Sequence, residues 1–112
     1  MEIKKLYSLL NKVLPNKVFY GSNNYDNEDY ASMPYIVYQE VNKRPIGYHD
    51  NVPICYDSTI QITLVCKNKS LELERTLEKK LLNNGFNYSL LSEFFNSDKS
   101  VNRVYEIHME DI

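Results

Sequence analysis

A chain of 112 residues, with 43% apolar and 25% charged residues, has the composition of a folded globular protein with a modest core. Its 13 basic and 15 acidic residues give a net charge of -2, so it lacks the cationic excess of a protein whose main partner is nucleic acid. We expect a single domain spanning residues 1–112. We expect neither a secretory signal nor a membrane span, because no apolar run is long enough.

The N-terminal third predicts a helix, a short strand and a loop. Apolar residues that recur every three or four positions share one helical stripe, which must end at Pro15. They are Ile3, Leu6, Tyr7, Leu10 and Val13 or Leu14. Val18–Tyr20 is a short β-prone run that ends at Gly21. Residues 22–33 are rich in Asn, Asp and Ser and predict a loop.

Two strands are predicted on either side of a proline-containing segment. Residues 35–41 are β-branched or aromatic, with apolar side chains on both faces, which is typical of a strand inside a sheet. Residues 59–66 alternate between polar and apolar, the period of a half-buried strand. Between them, Pro45, Gly47 and Pro53 argue against a regular ladder, so residues 42–55 predict a long loop or a splayed hairpin tip.

The C-terminal half predicts a capped helix and a closing hairpin. Leu73, Leu77 and Leu81 form a stripe that Leu82 widens. Ser70 suits the N-cap, and Gly85 followed by Phe86 suits a Schellman C-cap. Residues 87–95 are a weaker strand candidate, residues 96–99 a turn, and residues 101–111 an alternating strand. The order α-β-β-β-α-β-β predicts an α+β fold, in which two helices pack against one twisted, mostly antiparallel sheet.

Residues able to carry catalysis are few and scattered. Asp26, Glu28 and Asp29 form an acidic cluster, but their spacing does not match a calcium-binding loop, and a solvated turn is the favoured interpretation. His49 and Asp50 are adjacent in sequence, and such neighbours rarely orient each other as a general-base pair does.

The two cysteines, Cys55 and Cys66, form neither a CxxC pair nor a set with histidines, so we interpret them as reduced residues in or near strands. The sequence contains no phosphate-binding glycine motif and no HExxH. We therefore predict no catalytic residues, no metal site and no cofactor, and a protein that is not an enzyme.

The long segment between the two central strands is the candidate functional element. It combines aromatic, cationic and aliphatic side chains that are typical of interfaces, and long loops in compact domains tend to be functional. The candidate interface residues are Arg44, Ile46, Tyr48, His49, Val52 and Ile54. The alternative is that the segment folds back over its own sheet.

In the order and character of its segments, the chain resembles the small tail-completion proteins of long-tailed phages of Gram-positive bacteria, which are tail terminator or tail-to-head joining subunits. The likeness is carried by PYIVYQEV from Pro34, YDSTIQITLVCKNK from Tyr56, the helical LELERTLEKKLLNNGF and the closing VYEIHME. It covers nearly the whole chain from about residue 30 onward.

The resemblance implies a structural protein of a phage or prophage, without enzyme activity or cofactor. Its copies would form a ring, commonly of about six subunits, that caps the tail tube protein and meets the head connector protein. DNA would only pass through the channel, which suits a slightly acidic subunit. The ring would lie at the tail end or neck of the virion, after assembly in the bacterial host cytoplasm.

Two other functions stay open at this stage. One is a head-completion protein or another neck connector subunit of the same particle. The more remote one is a small metal-dependent hydrolase that uses the acidic cluster or the His49 and Asp50 pair.

Overall fold

The structure is a computed structural model that describes residues 2–21 and 33–111. In chain order its elements are α1 (Glu2–Val13), β1 (Val18–Tyr20), β2 (Tyr35–His49), β3 (Val52–Cys66), α2 (Leu71–Asn83), β4 (Tyr88–Phe95) and β5 (Val101–Asp111). The predicted α+β class and the predicted order of helices and strands are confirmed.

The strands form one five-stranded sheet in the order β1-β2-β3-β5-β4. The short strand β1 runs parallel to β2, and the other three neighbouring pairs are antiparallel. The sheet is therefore mostly antiparallel, as predicted. Its central strand β3 pairs with β2 on one side and with β5 on the other.

The main core lies between the two helices and one face of the sheet. Alternate residues of β3 reach it, since Ile60, Ile62 and Leu64 are at most 1% exposed. Leu77 and Leu81 of α2 are fully buried in the same core. The alternation predicted for residues 59–66 is thus confirmed for the core face, but the opposite face is partly covered too, since Thr59 and Val65 are buried.

Two predicted stripe positions are wrong. On α1, Tyr7 is 43% exposed, whereas Leu9, which the predicted stripe omitted, is buried. On α2, Leu82 does not widen the buried stripe, because it is 52% exposed. On α1 the buried arc is rotated from Tyr7 toward Leu9, and on α2 it is narrower than the apolar sequence pattern.

Both predicted ends of α2 are confirmed. The Ser70 hydroxyl accepts a hydrogen bond from the Leu73 amide at 3.3 Å, which satisfies one free donor of the first turn. Gly85 has φ +84°, and the Phe86 amide donates to the Leu81 carbonyl at 2.9 Å. The Gly85 amide donates to the Leu82 carbonyl, which completes a Schellman motif with Phe86 buried.

The closing hairpin is also confirmed. Strands β4 and β5 pair antiparallel, from Tyr88 opposite Ile107 to Phe95 opposite Val101. In the turn between them, the Asp98 carboxylate accepts hydrogen bonds from the Ser100 amide at 3.0 Å and the Ser100 hydroxyl at 2.6 Å. These local bonds hold the turn and lower the pKa of Asp98.

Candidate functional site

The predicted interface segment, residues 42–55, is a β-hairpin with a regular ladder. We call these residues the arm. Strand β2 runs to His49 and β3 begins at Val52. Asp50 and Asn51 form the connection with φ values of +53° and +65°, as in the tight turns that match the twist of paired strands. The prediction of a hairpin tip was right, and the expectation that no regular ladder survives there was wrong.

The arm tolerates two prolines because each of its strands is an edge strand. On one side, β1 pairs with β2 only at Ile36 to Tyr38. On the other side, β5 pairs with β3 only from Tyr56 onward. Pro45, opposite Tyr56, lies where β2 is an edge strand, and Pro53, opposite Tyr48, lies in a two-stranded ribbon, so each missing amide costs at most one ladder bond. The expectation that residues 42–55 form no regular ladder assumes prolines inside a sheet, and it does not hold for edge strands.

The described side chains of the arm are mostly exposed. The Arg44 side chain is 69% exposed, and its Nε atom lies 3.4 Å from the Asp57 carboxylate. Lys43 Nζ lies 4.8 Å from the centre of the Tyr56 ring, and Val52 is 61% exposed. Such exposed contacts contribute little to stability. The cationic and apolar groups of the arm are thus available to a partner.

The six predicted interface residues belong to this one hairpin. Arg44 and Val52 are exposed, and Ile46 is partly covered. The backbone places Tyr48 opposite Pro53 in the ladder, and His49 opposite Val52. Ile54 lies on β3, and the side chains of Tyr48, His49 and Ile54 fall outside the described atoms. The alternative, a segment folded back over the sheet, disagrees with the ladder, which continues β2 and β3 outward.

The residues weighed for chemistry are not assembled into a site by the described chain. Asp26, Glu28 and Asp29 lie outside the described residues. Among the residues that are described, no group of three His, Cys, Asp or Glu side chains is placed to hold a metal ion. The Cys55 thiol donates to the Ile46 carbonyl across the arm at 3.2 Å, and Cys66 is buried. Burial raises the pKa of the Cys66 thiol.

A polar network between α2 and the β4–β5 hairpin was not predicted. Arg103 Nη2 lies 3.1 Å from the Glu78 carboxylate, and Arg103 Nη1 lies 3.2 Å from the Glu93 carboxylate. Arg103 Nε donates to the Tyr105 hydroxyl at 2.6 Å, and this hydroxyl donates to Glu78. The network is completed by Lys69, whose Nζ atom lies 2.9 Å from the carboxylate of Glu74, a residue only 5% exposed.

The network shifts the acid–base properties of its members. Burial opposes the charges of Glu78 and Arg103, but their hydrogen bonds outweigh it. The pKa of Glu78 is therefore lowered, and that of Arg103 is raised. Burial and the bond to Glu78 raise the pKa of Tyr105. Every buried side-chain nitrogen or oxygen in the described part of the chain has a hydrogen-bond partner, so the network fastens α2 to the hairpin.

A signal for this network was present in the sequence. Arg103 occupies an inward position of the alternating strand between Val101 and Tyr105, where an apolar residue is expected. Glu74 and Glu78 are four residues apart and share a helix face with Leu77 and Leu81. A cation on the inward face of a strand and two acids on the inward face of a helix each indicate that a charged partner is needed, although the sequence does not show which residues pair.

The outer strand β4 carries a second feature that the prediction missed. Its large apolar side chains are exposed, although four such residues in eight would normally be covered. They are Leu90 at 45%, Leu91 at 50%, Phe94 at 46% and Phe95 at 65% exposed. We call the outer side of β4, with these four side chains, the β4 edge.

Comparison with known proteins identifies no family for this chain. No protein-family model matches the sequence, and no curated protein is significantly similar to it. Of the helices in the described chain, none is long and apolar enough to cross a bilayer. The arm and the β4 edge are two exposed features of the described chain that can contact a partner.

Proposed function

We propose that the chain is a structural subunit of a phage or prophage tail, a tail terminator or tail-completion protein. Its copies assemble into a ring that caps the tail tube and joins it to the head connector. The observation that carries the proposal is the arm, a β-hairpin whose tip, residues 46–55, projects beyond the rest of the sheet. The order of elements, which resembles that of tail-completion proteins, agrees with it.

The geometry of the arm suits a contact between subunits. The tip of the arm, residues 46–55, extends about 13 Å beyond the last residues that pair with β5, at roughly 3.3 Å per residue for the four residues 46–49. The molecule is accordingly elongated, with principal extents of 53 × 31 × 24 Å. Val52 at the tip of the arm and Arg44 at its base are exposed, so both can contact a neighbouring copy.

The stability of the arm also favours a partner. A two-stranded hairpin is at best marginally stable in water without a third strand or a covering element. Among the described residues, no strand pairs with the arm on either side. A ring contact would supply the missing cover, and each subunit would both give and receive one arm.

The charge of the chain fits a channel through which DNA passes. A net charge of -2 gives no general attraction to phosphates, so DNA that moves through the ring would not be held there. A subunit whose main task was to bind DNA would require a cationic surface instead.

Negative-stain microscopy of the purified protein, mixed in turn with tail tubes and with DNA-filled heads, tests the proposal. We expect rings on one end of each tube. Rings on head portals alone would instead assign the chain to the neck connector proteins. Bare tubes and bare portals would contradict a structural function at this junction.

A further inference from the structure

The β4 edge has the properties of an unprotected sheet edge. Strand β4 pairs with β5 on one side, and no described strand pairs with its other side. Proteins usually block such edges with lysine, proline or inward charges. The eight residues of β4 contain neither lysine nor proline, and their one charge, Glu93, is bound by Lys69 and Arg103.

Exposed apolar groups occur on both faces of this edge. Phe95 lies opposite Val101 in the ladder and so shares the helix-facing side of the sheet. Phe94 lies opposite Asn102 and points to the other side. A bulge between Leu90 and Ser92 interrupts the ladder, but residues 92–95 pair regularly. A strand that docks here would cover aromatic rings on both faces.

We propose that the β4 edge receives the arm of a second copy of this chain, whose β2 strand pairs with β4. This inference rests on the proposed ring and names its two contact surfaces. Each surface lacks what the other offers, since the arm needs a third strand and the β4 edge needs a cover for Leu90, Leu91, Phe94 and Phe95. Beyond the Glu40 amide, which donates to the Tyr20 hydroxyl, the outer side of β2 from residues 41 to 49 is long enough to pair with the eight residues of β4.

The strand directions agree with a ring. Strands β2 and β4 are separated by three antiparallel steps, from β2 to β3, β3 to β5 and β5 to β4, so they run in opposite directions. Through the ladders, β4 lies level with residues 35–40 of β2, so the arm of one copy reaches β4 of the next only if the ring axis is tilted from the strands and neighbouring copies are offset along them. Such a rotation still leaves equivalent strands of neighbouring copies pointing in roughly the same direction. Strand β4 of one copy therefore meets β2 of the next as an antiparallel pair, the more stable arrangement. Arm and receiving edge lie on opposite sides of each copy, as head-to-tail rings require.

Site-directed crosslinking tests which surfaces meet. In a Cys55→Ser background, Cys66 stays because it is buried. One chain carries Lys43→Cys on the arm and another carries Ser92→Cys on β4, and both are treated with a short bismaleimide. We expect crosslinked dimers when the two chains are mixed and none from either chain alone. Crosslinked dimers from the Ser92→Cys chain alone would show that β4 pairs with β4 of another copy. The absence of dimers in the mixture would exclude the contact between the arm and the β4 edge. Either result would overturn the proposal.

Sedimentation velocity supplies the independent test with a matched control. The double variant Phe94→Lys with Phe95→Lys should require at least a tenfold higher concentration to self-associate. The control, Leu71→Lys with Leu82→Lys, changes two α2 side chains that are 55% and 52% exposed and should associate like the wild type. Both variants should keep the wild-type circular dichroism spectrum. Equal association of the two variants, or a monomeric wild type at every concentration, would refute the contact.

The outcomes separate this inference from the proposed function. Rings that cap tail tubes without an arm-to-β4 crosslink would leave the function standing and move the interface elsewhere. A crosslink without capping of tubes or portals would keep the interface and reject the function.

Discussion

Replacement of Leu77 by alanine tests the core that holds α2 on the sheet. Leu77 is fully buried in the same cluster as Ile62 and Tyr105. The change removes about three carbon groups, each worth about 0.8 kcal/mol when buried, and leaves a cavity whose lining loses contacts. Together these effects should lower the free energy of unfolding by about 3–5 kcal/mol, out of a total of roughly 5–15 kcal/mol for a domain of this size.

The matched control is Leu82→Ala on the same helix. Leu82 is 52% exposed, so its truncation should cost less than about 1 kcal/mol. Thermal unfolding followed by circular dichroism should show Leu77→Ala melting roughly 10–25 °C below the wild type and Leu82→Ala within a few degrees of it. Leu77→Asp should not fold, because it buries an unpaired charge. Equal melting points for the two alanine variants would mean that the assigned face of α2 is wrong.

Three further predictions concern charge and assembly. Glu78→Gln should lower the free energy of unfolding by about 1–3 kcal/mol at neutral pH. Because the folded pKa of Glu78 is lowered, this difference from the wild type should shrink as the pH falls below about 4.3. Urea titrations at several pH values measure it, and a difference that stays constant with pH would disprove the prediction. Changing each acid of the 26–29 cluster to its amide should alter stability by less than about 1 kcal/mol. Calcium and magnesium should leave the wild-type melting point unchanged, and a saturable rise would reveal a metal site. Arg44→Ala with Tyr48→Ala should keep the fold but weaken ring assembly by about 2 kcal/mol per contact, so wild-type ring yields in microscopy would exclude the arm.

Elements with local signals were predictable from the sequence. The ends of α2 depend on Ser70, Gly85 and Phe86, which lie within a few residues of the backbone groups that they satisfy. The buried side of β3 follows from an alternation that any half-buried strand requires. In both cases the interactions that decide the structure are made between neighbours in the sequence.

Elements that depend on contacts between residues far apart in the sequence were not predictable from the sequence. Whether Pro45 breaks a strand depends on whether another strand needs its missing amide, and this follows from where β1 and β5 end. Arg103 and Glu74 are far apart in the sequence, so their pairing is set by how α2 crosses the sheet. Phe94 and Phe95 are exposed because β4 lies at the edge of the sheet. An apolar sequence pattern indicates which side chains favour burial, but it does not show which element buries them.

The most direct test of the proposed tail-completion function is deletion of the gene from the genome that encodes it. Particles are then counted by electron microscopy, with and without a complementing copy. We predict that the deletion leaves separate heads and unfinished tails and that the wild-type copy restores head-joined tails. A copy with Arg44→Ala and Tyr48→Ala should not restore them. Head-joined tails at normal frequency in the deletion would contradict the account.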